Sequence, residues 1–225
     1  MHIHTPASFH WKGAKFEADP DSAANRTLVD EMIAALNAAE PAVFALMDYW
    51  TFDGWLALKR RLGETGAPTL TKTVFPGIEL RLAAPMKERL NAHVLFSDEV
   101  DDQVLLDFRA TLKLEIVDRP LSEAALIELA HKVGAPKLEH HGVKKAEVDG
   151  DNRVALRAGS SIAEINCESY KEAIKKVPNG YGIGFMPYDT SDGLKEVKWQ
   201  DHYAYFVGPA KPQSEFDSSM RTLTL

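Results

Sequence analysis

Ala42-Val43-Phe44-Ala45-Leu46-Met47 runs directly into Asp48-Tyr49-Trp50-Thr51-Phe52-Asp53-Gly54. Six almost wholly apolar residues without polar alternation are the pattern of a strand buried on both faces, which is how strands of a parallel sheet read. Val74-Phe75-Pro76-Gly77-Ile78-Glu79-Leu80 and His93-Val94-Leu95-Phe96 read similarly, with Pro76-Gly77 expected to break or bend the first. Tyr181-Gly182-Ile183-Gly184-Phe185-Met186 and Tyr203-Ala204-Tyr205-Phe206-Val207 are later candidates.

Helical patterns lie between these runs. Asp21 or Ser22 can cap a helix with Leu28, Met32, Ile33 and Leu36 on one face. Gly54 to Leu62 is a shorter one, with Trp55, Leu58 and Leu62 inward and Lys59, Arg60 and Arg61 outward or at its end. After Ser122, the residues Leu126, Ile127, Leu129, Ala130 and Val133 read as a helix stopped by Gly134 and Pro136, and Glu168 to Val177 as another ended by Pro178-Asn179-Gly180. Strands alternating with helices predict an α/β domain with a largely parallel sheet or barrel. No repeat and no Gly/Ser linker divides the chain, so residues 1–225 are expected to be a single domain. Lys137 to Ser160 is polar, with Val148-Asp149-Gly150-Asp151-Asn152 as a turn, and predicts an inserted hairpin or loop. Asp98-Glu99-Val100-Asp101-Asp102 is expected to be solvated and to favour the start of a helix.

With 26 Lys+Arg against 33 Asp+Glu, the formal net charge is -7, which argues against a broad phosphate-binding surface. The single cysteine, Cys167, excludes an internal disulfide and a cysteine-based zinc site, fits a reducing cytoplasm, and is read as a buried small residue. No stretch reaches the roughly 20 apolar residues of a membrane span.

The eight histidines are unevenly spread: His2, His4 and His10 fall in the first ten residues. On an extended strand His2 and His4 project to the same face and can converge on one metal, while Ile3 packs on the other side. Ligands in parallel α/β folds gather at the carboxyl ends of strands, where this His-x-His would lie. The competing reading is a disordered terminus with incidental histidines.

His2-Ile3-His4-Thr5-Pro6-Ala7-Ser8-Phe9-His10 resembles the first motif of the PHP (polymerase and histidinol phosphatase) family. Asp48-Tyr49-Trp50-Thr51-Phe52-Asp53-Gly54 is similar to its second motif, Phe75-Pro76-Gly77-Ile78-Glu79 to its Pro-Gly-x-Glu motif, and Asn91-Ala92-His93-Val94-Leu95 to the His-x-Leu motif that follows. The resemblance implies a distorted (β/α) barrel and a phosphoesterase or nuclease that uses two or three divalent Zn, Mn or Fe ions, which the chain's departures from the family, Tyr49 and the missing late ligands, reduce to an expected one or two. It implies His2, His4, His10, Glu79 and His93 as ligands, with Glu79 able to bridge two ions. Such ions would supply locally the positive potential that an acidic chain lacks. Asp48 is the candidate catalytic residue, as a ligand, an acceptor that orients a histidine, or a proton carrier.

The chain departs from the family where the second motif normally carries a histidine, since Tyr49 stands there. A mid-chain ligand and a closing Asp-x-His are not evident. His140-His141 lie in the polar stretch, Asp201-His202 are adjacent and read as surface, and His131 sits in a helical pattern. A complete barrel of this type needs about 250 residues, so an incomplete one is expected, trimmed or completed by another chain as an oligomer would. More loosely, the opening His-Ile-His-Thr-Pro-Ala-Ser-Phe-His-Trp and the stretch from Tyr181 to Gly193 resemble PHP regions that precede a P-loop ATPase of the SMC/AAA-like kind, in proteins of DNA repair or antiphage defence. This chain has no P-loop of its own. Two expectations stay level: a cytoplasmic metal-dependent hydrolase acting with an ATPase partner, with nucleic acid as one substrate class, or a non-catalytic PHP-like structural or sensing module for that partner. An unrelated metabolite-binding α/β barrel is a third.

Overall fold

A computed structural model describes residues 1–83 and 90–185. Strand β1 (His2–Ile3) is followed by α1 (Ala23–Ala38), β2 (Val43–Tyr49), α2 (Asp53–Leu62), β3 (Thr73–Leu82) and β4 (Leu90–Phe96). Then come α3 (Asp102–Thr111), β5 (Lys113–Leu114), β6 (Arg119–Pro120), α4 (Glu123–Lys132), α5 (Ala135–His140), α6 (Lys145–Gly150), α7 (Asn152–Ile162), α8 (Cys167–Lys175) and β7 (Gly182–Phe185).

The main sheet has the order β1-β2-β3-β4-β7, and β5 pairs with β6 separately. β1, β2 and β3 are parallel, while β4 pairs antiparallel with both β3 and β7, so β7 runs with the first three. The fold is therefore α/β with a parallel-rich sheet, and β4 is the exception to the expected strand direction. Leu82 and Leu90 are too close in the chain for a parallel return, which needs a dozen or more residues. The described strands do not close into the expected barrel; β1 and β7 lie at the two edges. Pro76 does not break its strand. It pairs with Leu46 in the register of β2, and the ladder with β4 begins one residue later at Gly77↔Leu95. Gly77 is required by close approach, because a Cβ there would run into Met47 Sδ and lie 3.0 Å from the Val94 carbonyl.

Ser22 caps α1 by accepting from the Asn25 N–H, and Val29, Ile33 and Leu36 bury its inner face. Ser122 and Asp101 cap α4 and α3 in the same way. In α2 Trp55 and Leu58 are buried as expected, while Leu62 is exposed.

The stretch from Lys137 to Ser160, expected as a hairpin or loop, is instead largely helical, in α5, α6 and α7. Its polar composition hides a stripe of small residues: Ala155, Ala158, Gly159 and Ile162 are buried at helical spacing, with Leu138 and Val148 buried before them. Gly159 lets α7 lie against the backbone of α4, since a Cβ there would overlap the Leu126 carbonyl. Cys167 is buried, donates to the Ala83 carbonyl at 3.3 Å, and burial pushes its thiol up to about 12. The run Tyr203 to Val207 and the pair Asp201-His202 lie outside the described residues. Among the described residues no helix is long and apolar enough to cross a membrane.

Candidate metal centre

Register decides what the sheet presents. Tyr49 pairs with Glu79, Glu79 with His93, and His93 with Phe185, so one row of side chains crosses four strands on one face. His2 pairs with Ala45 and joins the same face by the two-residue period. Arg81 follows Glu79 by two positions and falls there as well.

Three imidazoles converge on one oxygen of this row. The Nε2 atoms of His2, His4 and His93 lie 3.4, 3.6 and 3.7 Å from Glu79 Oε2. Ligand atoms of His2, Glu79 and His93 are all within 4.8 Å of one another. These separations are too long for good hydrogen bonds. They match the spacing of neighbouring ligands about a tetrahedral ion, about 3.4 Å for metal–ligand bonds of about 2.0–2.1 Å. The donor set suits a borderline divalent cation: three imidazoles and one carboxylate that is 4% exposed.

The electrostatics agree with that chemistry. Burial lowers the pKa of His2 and His4 below 6.5, with Glu79 opposing, so their nitrogens stay neutral and able to donate a lone pair. Burial acts to raise Glu79, but the neighbouring His93, Tyr49 and His2 outweigh it, leaving the carboxyl below its ordinary value. Nδ1 of His93 is buried without a hydrogen-bond partner among the described residues.

The other expected site residues are placed differently. His10 is exposed, its ring 6.2 Å from His4, 4.7 Å from Tyr49 and 4.1 Å from Phe9; the tightest set is His2, Glu79 and His93, and of the two early histidines outside it only His4 reaches Glu79, at 3.6 Å. Asp48 is 2% exposed and points to the opposite face of β2 from Tyr49. Its Oδ1 accepts the Thr5 N–H at 2.7 Å and its Oδ2 the Thr5 hydroxyl at 2.6 Å. Asp48 accepts from Thr5, the residue next to His4, and from no histidine among the described residues, which differs from the expected acceptor that orients a histidine. Gly54, at the start of α2, makes room for this pair, because a Cβ there would overlap Thr5 Oγ1 and Asp48 Oδ2. His140 is exposed and His141 half-buried at the end of α5, and His131 meets Asp149 at 3.1 Å on the surface.

Tyr49 stacks on His4 with ring centroids 5.4 Å apart and an interplanar angle of 15°. Burial and the neighbouring Glu79 push its phenol up to about 12, so it is protonated at neutral pH. Arg81 is 6% exposed, its Cζ 4.7 Å from the centre of the Tyr49 ring, and its Nη1 donates to the Ser160 and Ser161 carbonyls at 3.3 and 2.8 Å in the last turn of α7. Thr5 and Arg81 are the residues that sequence reasoning missed. Arg81 had a signal, its two-residue offset from Glu79 on a strand; Thr5 had only its place beside His4. Trp50 follows Tyr49 with a φ of 68°, strained for a bulky residue, held by Nε1 donating to Ser160 and by Arg109 donating to its carbonyl. A cleft of about 600 Å³ is lined by Phe9, Phe16, Tyr49, Trp50, Leu56 and Arg109 among others; it shares Tyr49 with the surroundings of the centre, and none of His2, His4, Glu79 and His93 lines it.

No family profile and no curated protein matches the chain. Two solved structures are similar over most of it. One is an amidohydrolase from Chromobacterium violaceum, solved with sulfate and no metal, at 13% identity and a TM-score of 0.46, covering 97% of this chain and 72% of that one. The other, from Bifidobacterium adolescentis and described as a metal-dependent phosphoesterase, gives 15% identity and a TM-score of 0.41, covering 98% of this chain and 81% of that one. Both similarities are distant, and what the chain can do is read from its own residues.

Proposed function

We propose that the chain is a divalent-metal-dependent phosphoesterase or nuclease of the PHP type, with a distorted barrel as its complete fold. The supporting observation is the convergence of His2, His4 and His93 on Glu79 Oε2, from the N-terminal segment and two further strands. When bound, the ion supplies Lewis-acid charge to a phosphoester and lowers the pKa of water. The chain's own residues hold and orient it. Neutral His2 and His4 present nitrogens together with His93, Glu79 presents a carboxylate, and Asp48 fixes the loop through Thr5. The cleft beyond Tyr49 and Phe9 has room for the body of a substrate. A net charge of -7 restricts nucleic-acid contact to a small area around the centre.

The test is metal analysis of protein purified without chelator, then manganese- or zinc-dependent hydrolysis of bis(p-nitrophenyl) phosphate by the wild type and Glu79→Gln. Bound metal, and activity that Glu79→Gln lowers by at least about a hundredfold (about 2.7 kcal/mol in the barrier), are expected. Protein that binds no metal, or activity indifferent to Glu79, sinks the reading.

A second reading is favoured by Tyr49, whose protonated phenol occupies the position of the resemblance's histidine: a PHP-like module that structures or senses for a P-loop ATPase in DNA repair or antiphage defence. Either reading places the chain with an ATPase domain or subunit, in the cytoplasm. Capture of such an ATPase by a metal-binding but inert chain would support the module; hydrolysis at enzymic rates without such a partner would remove it.

A further inference from the structure

We infer that the centre takes one divalent ion, on the Oε2 side of Glu79, and that Tyr49 and Arg81 fill the position a second ion would need. This rests on the metal-dependent reading above and specifies its stoichiometry.

The asymmetry of Glu79 carries the inference. A carboxylate that bridges two ions presents a different oxygen to each, so donors must gather around both. Here Nε2 of His2, His4 and His93 all face the same oxygen, Oε2. Among the described residues, His2, Glu79 and His93 form the only group of three close enough to hold a metal.

The space beside this set is taken. Tyr49, in register with Glu79, lays its ring 5.4 Å from His4 and 4.7 Å from His10, so the His10 imidazole meets a phenol ring. Next to that ring lies a permanent positive charge. The Arg81 guanidinium is 4.7, 5.6 and 6.0 Å from the ring centres of Tyr49, Phe9 and Trp50. Among the described residues it forms no ion pair. The aromatic faces and the carbonyl end of α7 compensate it instead. These groups stabilise a guanidinium, which is fixed in place and cannot be exchanged for an ion. A second cation there would meet repulsion from Arg81 in a poorly solvated setting and find His10 as its nearest imidazole. His10 is thereby left out of the ligand set.

Calorimetric titration of the full chain, stripped of metal and titrated with zinc or manganese, tests this, with metal content measured separately by mass spectrometry. One ion per chain is expected. His10→Ala should keep that stoichiometry with an affinity within about threefold of the wild type, whereas His93→Ala should lose at least about tenfold. The double variant Tyr49→His, Arg81→Gln should take up a second, weaker ion. Two ions in the wild type, a tenfold loss in His10→Ala, or a folded double variant that still takes one ion overturns the inference. If the double variant does not fold, the wild-type stoichiometry and His10→Ala decide it. Two ions would leave the metal-dependent reading standing; no ion at all overturns both.

Discussion

Two carboxylates at this centre have opposite surroundings and opposite consequences. Glu79 faces three imidazoles and is held ionised, whereas Asp48 faces Thr5 and burial pushes its carboxyl from 3.8 up to about 6. For Asp48 the folded pKa lies above the unfolded one, so the folded state binds the proton more tightly. Its contribution to stability is fully present below about pH 4 and is lost as pH rises through about 6, a change of about 3 kcal/mol. Urea unfolding at several values across that window should show this slope in the wild type and a flatter one in Asp48→Asn; parallel curves would refute it. His2 and His4 behave in the reverse sense. Their pKa values are lowered by burial, so the neutral forms persist as pH falls through 6.5 and are lost only lower. Metal affinity measured by equilibrium dialysis should therefore hold within about threefold between pH 7.5 and 6.5. A tenfold fall over that interval would show that the histidines protonate as free imidazole does.

At the scale of elements, the contact of α4 with α7 depends on one missing side chain. Gly159→Ala would push a methyl group into the Leu126 carbonyl and separate the helices. Chemical denaturation should show a loss of about 1–3 kcal/mol, the usual cost of overpacking, even though alanine favours a helix more than glycine. A more stable variant would mean that the helices are free to separate. The same pair explains why this region was misread. Ala155, Ala158, Gly159 and Ile162 make a helical stripe, but three of the four are small and the residues between them, Leu156 apart, are polar. The hydrophobic signal is therefore weak, although the buried surface is real. Capped helices with larger side chains, such as α1 behind Ser22, were legible because Leu28, Met32, Ile33 and Leu36 carry a strong period, although the buried face is centred on Val29, Ile33 and Leu36, with Leu28 and Met32 half-buried at its margin. The direction of β4 was not written in its apolar pattern, which is the same for parallel and antiparallel neighbours.

For the whole molecule, the centre ties distant parts of the chain together. His2 lies near the start of the chain, Glu79 in β3 and His93 in β4, and an ion held by them binds the folded state alone. At a concentration about 100 times Kd this adds about 2.7 kcal/mol, which raises Tm by about 5–10 °C in a chain of this size. Scanning calorimetry with zinc and with chelator should show that difference in the wild type and its absence in Glu79→Gln. An equal shift in both would place the stabilising ion elsewhere.

The sequence by itself determined the alternation of strand and helix, the helix caps, and the residues His2, His4, Glu79 and His93 as candidates. Those signals are local: apolar runs, side-chain periods and short spacings. Tertiary structure alone decided that the three imidazoles meet one carboxylate oxygen, that Asp48 lies on the far face holding Thr5, and that Arg81 stacks on Tyr49 against the end of α7. The first two depend on strand register and the packing of the N-terminal segment, and the third also on a helix whose Ser161 is 80 residues from Arg81 in the chain. Register and packing are set by the joint burial of many side chains, so they appear only when the chain is folded.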